Sequence, residues 1–268
     1  MKKILSMLLA FVLVITSAVT LSSCNTANPA SDFEYSILDD GKYAGIEKYI
    51  GNDKSVVIPE KIEGATVTQI LGAAFMEQDI ESVIIPDTVV NISAGAFSAC
   101  TKLTKVKFGI KVANIGENAF DGCVSLEEID LPDSVILIEE SAFKDCTALK
   151  TISIPNQAAL YSGAFYNNSS LVSVKFEDGA KSLGGYSAFM HAESLAEVTI
   201  PASVEQIRNR LFNGCKKLNK VTFLGDAPTK LGKTVFGPEN KDLKIYYKKG
   251  TKGWDTTDLA KWYTLVEY

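Results

Sequence analysis

The side chains in this sequence that could do chemistry are few and regularly spaced. Cys100, Cys123 and Cys146 each stand three residues after a Phe, and Cys215 repeats that placement further along. In an exported protein such a set usually signals disulfides. On stacked coils, however, one column of side chains projects in parallel. Strands about 4.8 Å apart then bring the Cα atoms within range but hold the Cβ atoms too far apart for a bridge. Buried, reduced thiols behaving as small hydrophobes are expected. No Cys-x-x-Cys pair offers a zinc or redox site. His191 is the single histidine, which leaves no His-based metal set or triad. Glu127–Glu128 and Glu139–Glu140 are chain neighbours. On a strand they face opposite ways, so neither pair can act as acid and base on one substrate. There is no phosphate-cradling Gly loop and no calcium-loop spacing. The chain reads as a non-enzyme without a cofactor or metal.

Recognition is the chemistry that remains. Tyr161, Tyr166, Tyr186, Met190 and His191 stand where the equivalent positions elsewhere are mostly small or polar. Exposed aromatics gathered on loops suit a protein or glycan contact. The alternative is that the rings fill space left by Asn168, Ala192 and Gly184–Gly185.

What must position these residues is a repeat. Phe75, Phe97, Phe120, Phe143, Phe165, Phe189, Phe212 and Phe236 recur at 22 to 24 residues. From Phe97 to Phe212 a Leu follows six residues on, with Val or Ile nine on and Phe, Leu or Ile eleven on, as in Leu126, Ile129 and Leu131. That alternating segment predicts one short strand per coil. Pro86, Pro132, Pro155 and Pro201 mark strand exits, since Pro cannot donate to a ladder. In seven of eight units an Ile or Leu stands five before the Phe, as Ile115 and Ile138 do, to line the opposite wall. Self-similarity at this period is the mark of a solenoid, in which each unit completes its neighbour's core. On the strand face, Lys105 beside Glu128 and Lys107 beside Asp130 are expected as cross-strand ion pairs, and no aromatic hot spot stands mid-column.

The copy "LPDSVILIEESAFKDCTALKTISIP", residues 131–155, resembles the BspA-type leucine-rich repeat of bacterial and protist surface proteins. Eight in-register copies over about residues 33–247 carry the likeness. The Gly after the wall Ile or Leu survives only at Gly116 and Gly232, and Asn168 and Ala192 replace the Cys in the fifth and sixth units. The resemblance implies a leucine-rich repeat solenoid, α/β or mainly β, of about eight coils. It also implies adhesion or protein–protein contact, with host or matrix proteins as the usual partners.

The N-terminus reads as an address. Lys2 and Lys3 precede an apolar run from Ile4, then small residues, in the layout of a signal peptide. An uncleaved anchor is the alternative. "LSSC", residues 21–24, looks like a bacterial lipobox, which implies that Cys24 is the acylated first residue of the mature chain; two or three acyl chains anchor stably where one would not. The expected organisation is a signal peptide over 1–23, a tether over 24–32, an N-terminal cap over 33–58, repeats over 59–247 and a C-terminal cap over 248–268. The N-terminal cap carries a hairpin signal at Asp39-Asp40-Gly41. Trp254 and Trp262 are expected as lids over the open C-terminal core.

The net charge of −5, which becomes about −7 without Lys2 and Lys3, argues against nucleic acid and against polybasic attraction to lipid. The expectation is a lipid-anchored cell-surface binding module whose partner is a host or matrix protein, a mucin or glycan, or another envelope protein. A structural envelope spacer without a soluble ligand is the alternative.

Overall fold

The computed structural model describes residues 26–268; Cys24 and the predicted signal peptide lie outside them. The chain winds into a β-solenoid of about ten turns with almost no helix. One wall is the predicted strand column. It runs from Ser55–Val57 through Ser82–Ile84 and Lys105–Lys107, continues at Thr151–Ile154 and Ser173–Phe176, and resumes at Glu197–Ile200 through Lys220–Phe223 and Lys244–Tyr247 to Thr264–Glu267. At Glu128 it thins to isolated bridges with Lys105 and Thr151. The opposite wall adds two-residue pairings around the Ile or Leu before each Phe, such as Asn91–Ile92 with Asn114–Ile115. The strand column passes the repeat limits of 59 and 247 at both ends, whereas the opposite wall reaches back to Tyr43–Tyr49 but ends at Lys230–Leu231.

The apolar faces of both walls meet on a column of Phe rings. From Phe75 to Phe236 the eight rings stack, with centroids 4.7 to 6.0 Å apart, and every one is fully buried. The backbone enforces the stack. Two residues before each Phe the chain is left-handed (φ 48° to 64°), and two residues after it is left-handed again in seven coils. This alternation turns successive N–H groups toward the next coil: Gly95, Phe97 and Ala99 donate to the carbonyls of Glu117, Ala119 and Asp121 at 2.7 to 2.8 Å. Non-Gly residues pay roughly 1–2 kcal/mol for that conformation, offset by hydrogen bonds that would otherwise be unsatisfied at a buried turn.

The four repeat cysteines are free and buried. Each Sγ–H donates to the carbonyl of the Phe one coil back, at 2.9 Å for Cys100 to Phe75 and 3.2 to 3.4 Å for the others. Burial pushes the thiols of Cys100 and Cys215 up to about 12, and those of Cys123 and Cys146 are raised further.

Both ends close with aromatics. Phe33–Leu38 and Tyr43–Tyr49 form the antiparallel hairpin around Asp39-Asp40-Gly41. The Tyr49 ring stacks on Phe75 at 5.4 Å, and Phe33 covers Tyr49 at 5.5 Å. At the other end Tyr263 lies edge-on against Phe236 at 5.7 Å. Trp254 is buried, stacked on Tyr247 and edge-on to Phe223, both at 4.9 Å.

Three expectations need correction. Trp262 is not a lid: it is 77% exposed, because Leu259 and Tyr263 take the inward positions around the short 3-10 turn Asp258–Lys261. Lys105 and Lys107 form no ion pair with Glu128 and Asp130. The strand is irregular there, and Lys150 instead reaches Glu127 at 2.5 Å; the pair that does form within the column is Lys220–Glu197 at 3.1 Å. The tether fails from Asn28 on. That side chain is buried, its amide donating to Asp32 and Asp53 and its oxygen accepting from the Val57 N–H at 2.8 Å.

Asn168 occupies the cysteine column, fully buried, with neither side-chain polar atom hydrogen-bonded. A buried unpaired amide costs about 1–3 kcal/mol. Asn168→Cys is therefore expected to raise stability by about that amount, seen as a Tm increase of several degrees in a thermal melt; an unchanged or lower Tm contradicts the assignment of cost.

Candidate binding groove

The sixth coil departs from the repeat by one residue. In the other seven coils the wall Ile or Leu stands five before the Phe. In the sixth, Leu183 stands six before Phe189 and is still buried in the wall, paired alongside Ile207. The added residue is Gly184, at φ +70°, where a Cβ would lie 2.1 Å from the Leu211 side chain. Gly185 follows, four before the Phe like Gly116 and Gly232, and a Cβ there would lie 2.3 Å from the Tyr161 carbonyl. The Gly of the third and eighth units therefore recurs in the sixth coil, displaced by the insertion, so it does not stand directly after the wall Leu.

The insertion interrupts the wall. Gly116, Glu139 and Tyr161 each donate a backbone N–H to the wall residue one coil back, as do Arg208 to Leu183 and Gly232 to Ile207, at 2.8 to 3.2 Å. No such bond reaches Leu160, and the short wall divides between Ala159–Leu160 and Ser182–Leu183. The strand column also divides between Ser173–Phe176 and Glu197–Ile200.

Beside this break lies an open groove of about 1250 Å³, running across the short wall from the fifth to the eighth coil. Tyr161 and Tyr186 stand at one end, Gln206, Arg208 and Asn209 line its floor, and Thr229, Lys230, Thr257 and Asp258 form the far side. The outward wall positions beside the two Tyr, Ala159 and Ser182, are small and exposed, which leaves room there. Tyr161 is 55% and Tyr186 46% exposed. The Arg210 guanidinium lies 5.4 Å over the Tyr186 ring, a cation–π contact.

The structure divides the residues singled out from sequence. Tyr161 and Tyr186 belong to the groove. Tyr166 and Met190 line a second, shallower recess of about 340 Å³ on the turn side, which Tyr186 borders too. His191 is outside both linings. It sits half-buried in a left-handed turn (φ 64°), edge-on to Tyr166 at 5.4 Å, over Gly214, where a Cβ would lie 2.4 Å from its Nδ1. His191 and Tyr166 thus pack on each other. Gln206, Arg208, Asn209 and Lys230 carried no sequence signal, since each is an ordinary polar residue until the coils align them. Among the described residues no group of three or more His, Cys, Asp or Glu is placed to hold a metal ion.

The parallel coils, the Phe column and the groove on one wall define a leucine-rich repeat solenoid. The family model for the BspA type leucine rich repeat region matches residues 68–187 and 184–247, in six copies. The chain belongs to that family. A leucine-rich repeat protein of T. pallidum is similar at 28% identity, with a TM-score of 0.60 over 81% of this chain and 91% of that one. One from Bacteroides ovatus shares the fold at 20% identity and a TM-score of 0.62, over 83% and 71% of the two chains. A leucine rich cell surface protein from Faecalibacterium prausnitzii does so at 23% and 0.56, over 84% and 76%. No curated protein matches the chain in sequence. Membership in this family of surface proteins suggests a protein-interaction module.

Gly185 tests the link between the insertion and the groove. Gly185→Ala drives a Cβ into the Tyr161 backbone, which cannot yield as a side chain would. A loss of about 1–3 kcal/mol is expected, with faster amide exchange confined to the fifth and sixth coils. Wild-type exchange in this variant would show that the close approach is unimportant.

Proposed function

We propose that the chain is an exported, lipid-anchored binding module of the bacterial cell surface, without catalytic activity, whose groove on coils five to eight takes the partner. The observation that carries this reading is the groove itself: it arises where the repeat is broken by Gly184–Gly185, and two exposed Tyr rings stand at its mouth. A spacer would need neither the break nor the rings, since regular coils stack without them. Aromatic side chains with a polar surround are the usual composition of a recognition surface. Cys24 supplies the anchor in this reading. It lies four positions before Asn28, the first residue clamped to the solenoid, and four residues reach at most about 14 Å. The N-terminal hairpin is thereby held close to the bilayer, and the groove lies on later coils, further along the solenoid. The partner is a matrix or host protein, a mucin or glycan, or another envelope protein.

Two measurements test the reading. Cells fed labelled palmitate are expected to label the wild-type protein and not Cys24→Ser, which is released from the membrane fraction; an unlabelled wild type removes the anchor. Residues 26–268, whose fold is described above, are expected to bind saturably to a member of a panel of matrix proteins, mucins and glycans. Tyr161→Ala/Tyr186→Ala, both at exposed positions, should lower that affinity by at least about tenfold, or ~1.4 kcal/mol, with Tm unchanged. Binding that survives moves the site elsewhere on the solenoid. Binding to nothing favours a structural spacer.

A further inference from the structure

Charge is divided along this solenoid in a way its net value conceals. Residues 26–204 carry 12 Lys or Arg against 25 Asp or Glu, a balance of −13. Residues 205–268 carry 13 against 7, a balance of +6. The groove opens onto the basic part. Arg208 and Lys230 line it, and neither pairs with a carboxylate among the described residues. Asp258 is the acidic residue of the lining, and Lys261 already holds it at 2.6 Å. Glu205, next to Gln206, is likewise taken by Lys181 at 2.8 Å. The Arg210 guanidinium lies over the Tyr186 ring from the side of the second recess, outside the groove lining. The acidic side chains near the groove are thus each paired with a Lys outside its lining, while Arg208 and Lys230 are in no ion pair among the described residues and Lys230 feels Glu205 only at longer range.

The neutral groups point the same way. Asn209 uses its oxygen to accept the Lys233 N–H at 2.8 Å, which leaves its Nδ2 hydrogens for a ligand. Together with the Arg208 guanidinium, the Lys230 ammonium and the Tyr161 hydroxyl, the lining presents an excess of donors. Exposed Tyr faces at one end suit stacking against sugar rings, whose C–H faces are apolar. The trough is open-ended and crosses four coils, so with coils about 4.8 Å apart it extends over roughly 14 Å. That accommodates several units of an extended chain. It holds no deep apolar socket of the kind a peptide side chain anchors in.

Resting on the binding-module reading above, we infer that the groove is a site for an anionic polysaccharide, one bearing carboxylate or sulfate groups. Tyr161 and Tyr186 stack on sugar rings, Arg208 and Lys230 neutralise the acidic substituents, and Asn209 donates to ring substituents. The acidic first coils repel the same polymer, so it is steered to the C-terminal half.

The test uses residues 26–268 in titration calorimetry with four probes: polygalacturonate, chondroitin sulfate, the neutral polymer mannan, and poly-glutamate as an acidic peptide. Saturable binding to polygalacturonate or chondroitin sulfate is expected, weakened at least about threefold when ionic strength rises from about 0.05 to about 0.3 M. Arg208→Gln/Lys230→Gln should lower that affinity at least about tenfold. Lys107→Gln/Lys111→Gln removes the same charge from exposed positions outside the groove and should leave it within about twofold. Binding of neither anionic glycan overturns the proposal, as does equal affinity for mannan, tighter binding of poly-glutamate, or an equal loss in both double variants. If a matrix protein binds through Tyr161 and Tyr186 while neither anionic glycan binds, the binding module stands and this assignment of its ligand falls.

Discussion

Each coil closes at one buried turn, and everything else in the molecule follows from how that turn is satisfied. The Phe ring stacks on the rings before and after it, and the backbone on either side of it is left-handed, so three N–H groups donate to the next coil. Neither half of this arrangement holds alone. Without the next coil the N–H groups would be buried and unpaired; without the ring the core would lack its largest apolar group. The cysteines tie in a further group, donating to the Phe carbonyl one coil back. Stability in such a stack comes from nearest-neighbour contacts, which explains why the ends need the aromatic covers Tyr49 with Phe33 and Tyr263.

The same constraint gives departures from the repeat their meaning. A coil that gains a residue cannot place it in the Phe turn, where every N–H is committed. In the sixth coil the extra residue goes to the wall, as Gly184, and the ladder to Leu160 is lost. The groove lies beside that loss, lined by Gln206, Arg208 and Asn209 and bordered by Tyr161 and Tyr186. A structural tolerance of the solenoid thus becomes a concave polar surface, while the strand column on the opposite side presents a solvated face. Recognition and architecture occupy different walls of each coil.

Charge adds a second layer. Most surface ion pairs join consecutive coils, as Lys102 to Asp79 and Lys216 to Glu193 do. Such exposed pairs contribute little to stability. Their effect here is on the field, because they neutralise charges along the flanks while the excess acid of the first coils and the excess base of the last ones remain. An elongated molecule keeps those two regions apart, where a compact one would blend them.

The sequence by itself determined the coil. The period of the Phe column, the alternation in the strand segment and the Ile or Leu of the second wall specify which residues face inward, because a stack of similar units leaves one arrangement that buries them all. The cysteines were legible for the same reason: a shared column excludes bridges. The left-handed turn positions were not legible, since Ala73, Asn118, Ser141, Arg210 and Thr234 share no residue type; neighbouring coils impose that conformation. Trp262 was misread because a pattern identifies an apolar residue but not which face of a short terminal turn it takes. The groove was only half visible. Tyr161 and Tyr186 stood out against the repeat, whereas Gln206, Arg208, Asn209 and Lys230 lie 20 to 70 residues away and become a site only when stacking at the pitch of a parallel sheet sets them side by side. Local pattern fixes which way a side chain faces; which side chains meet across coils is decided by register, and register belongs to the tertiary structure.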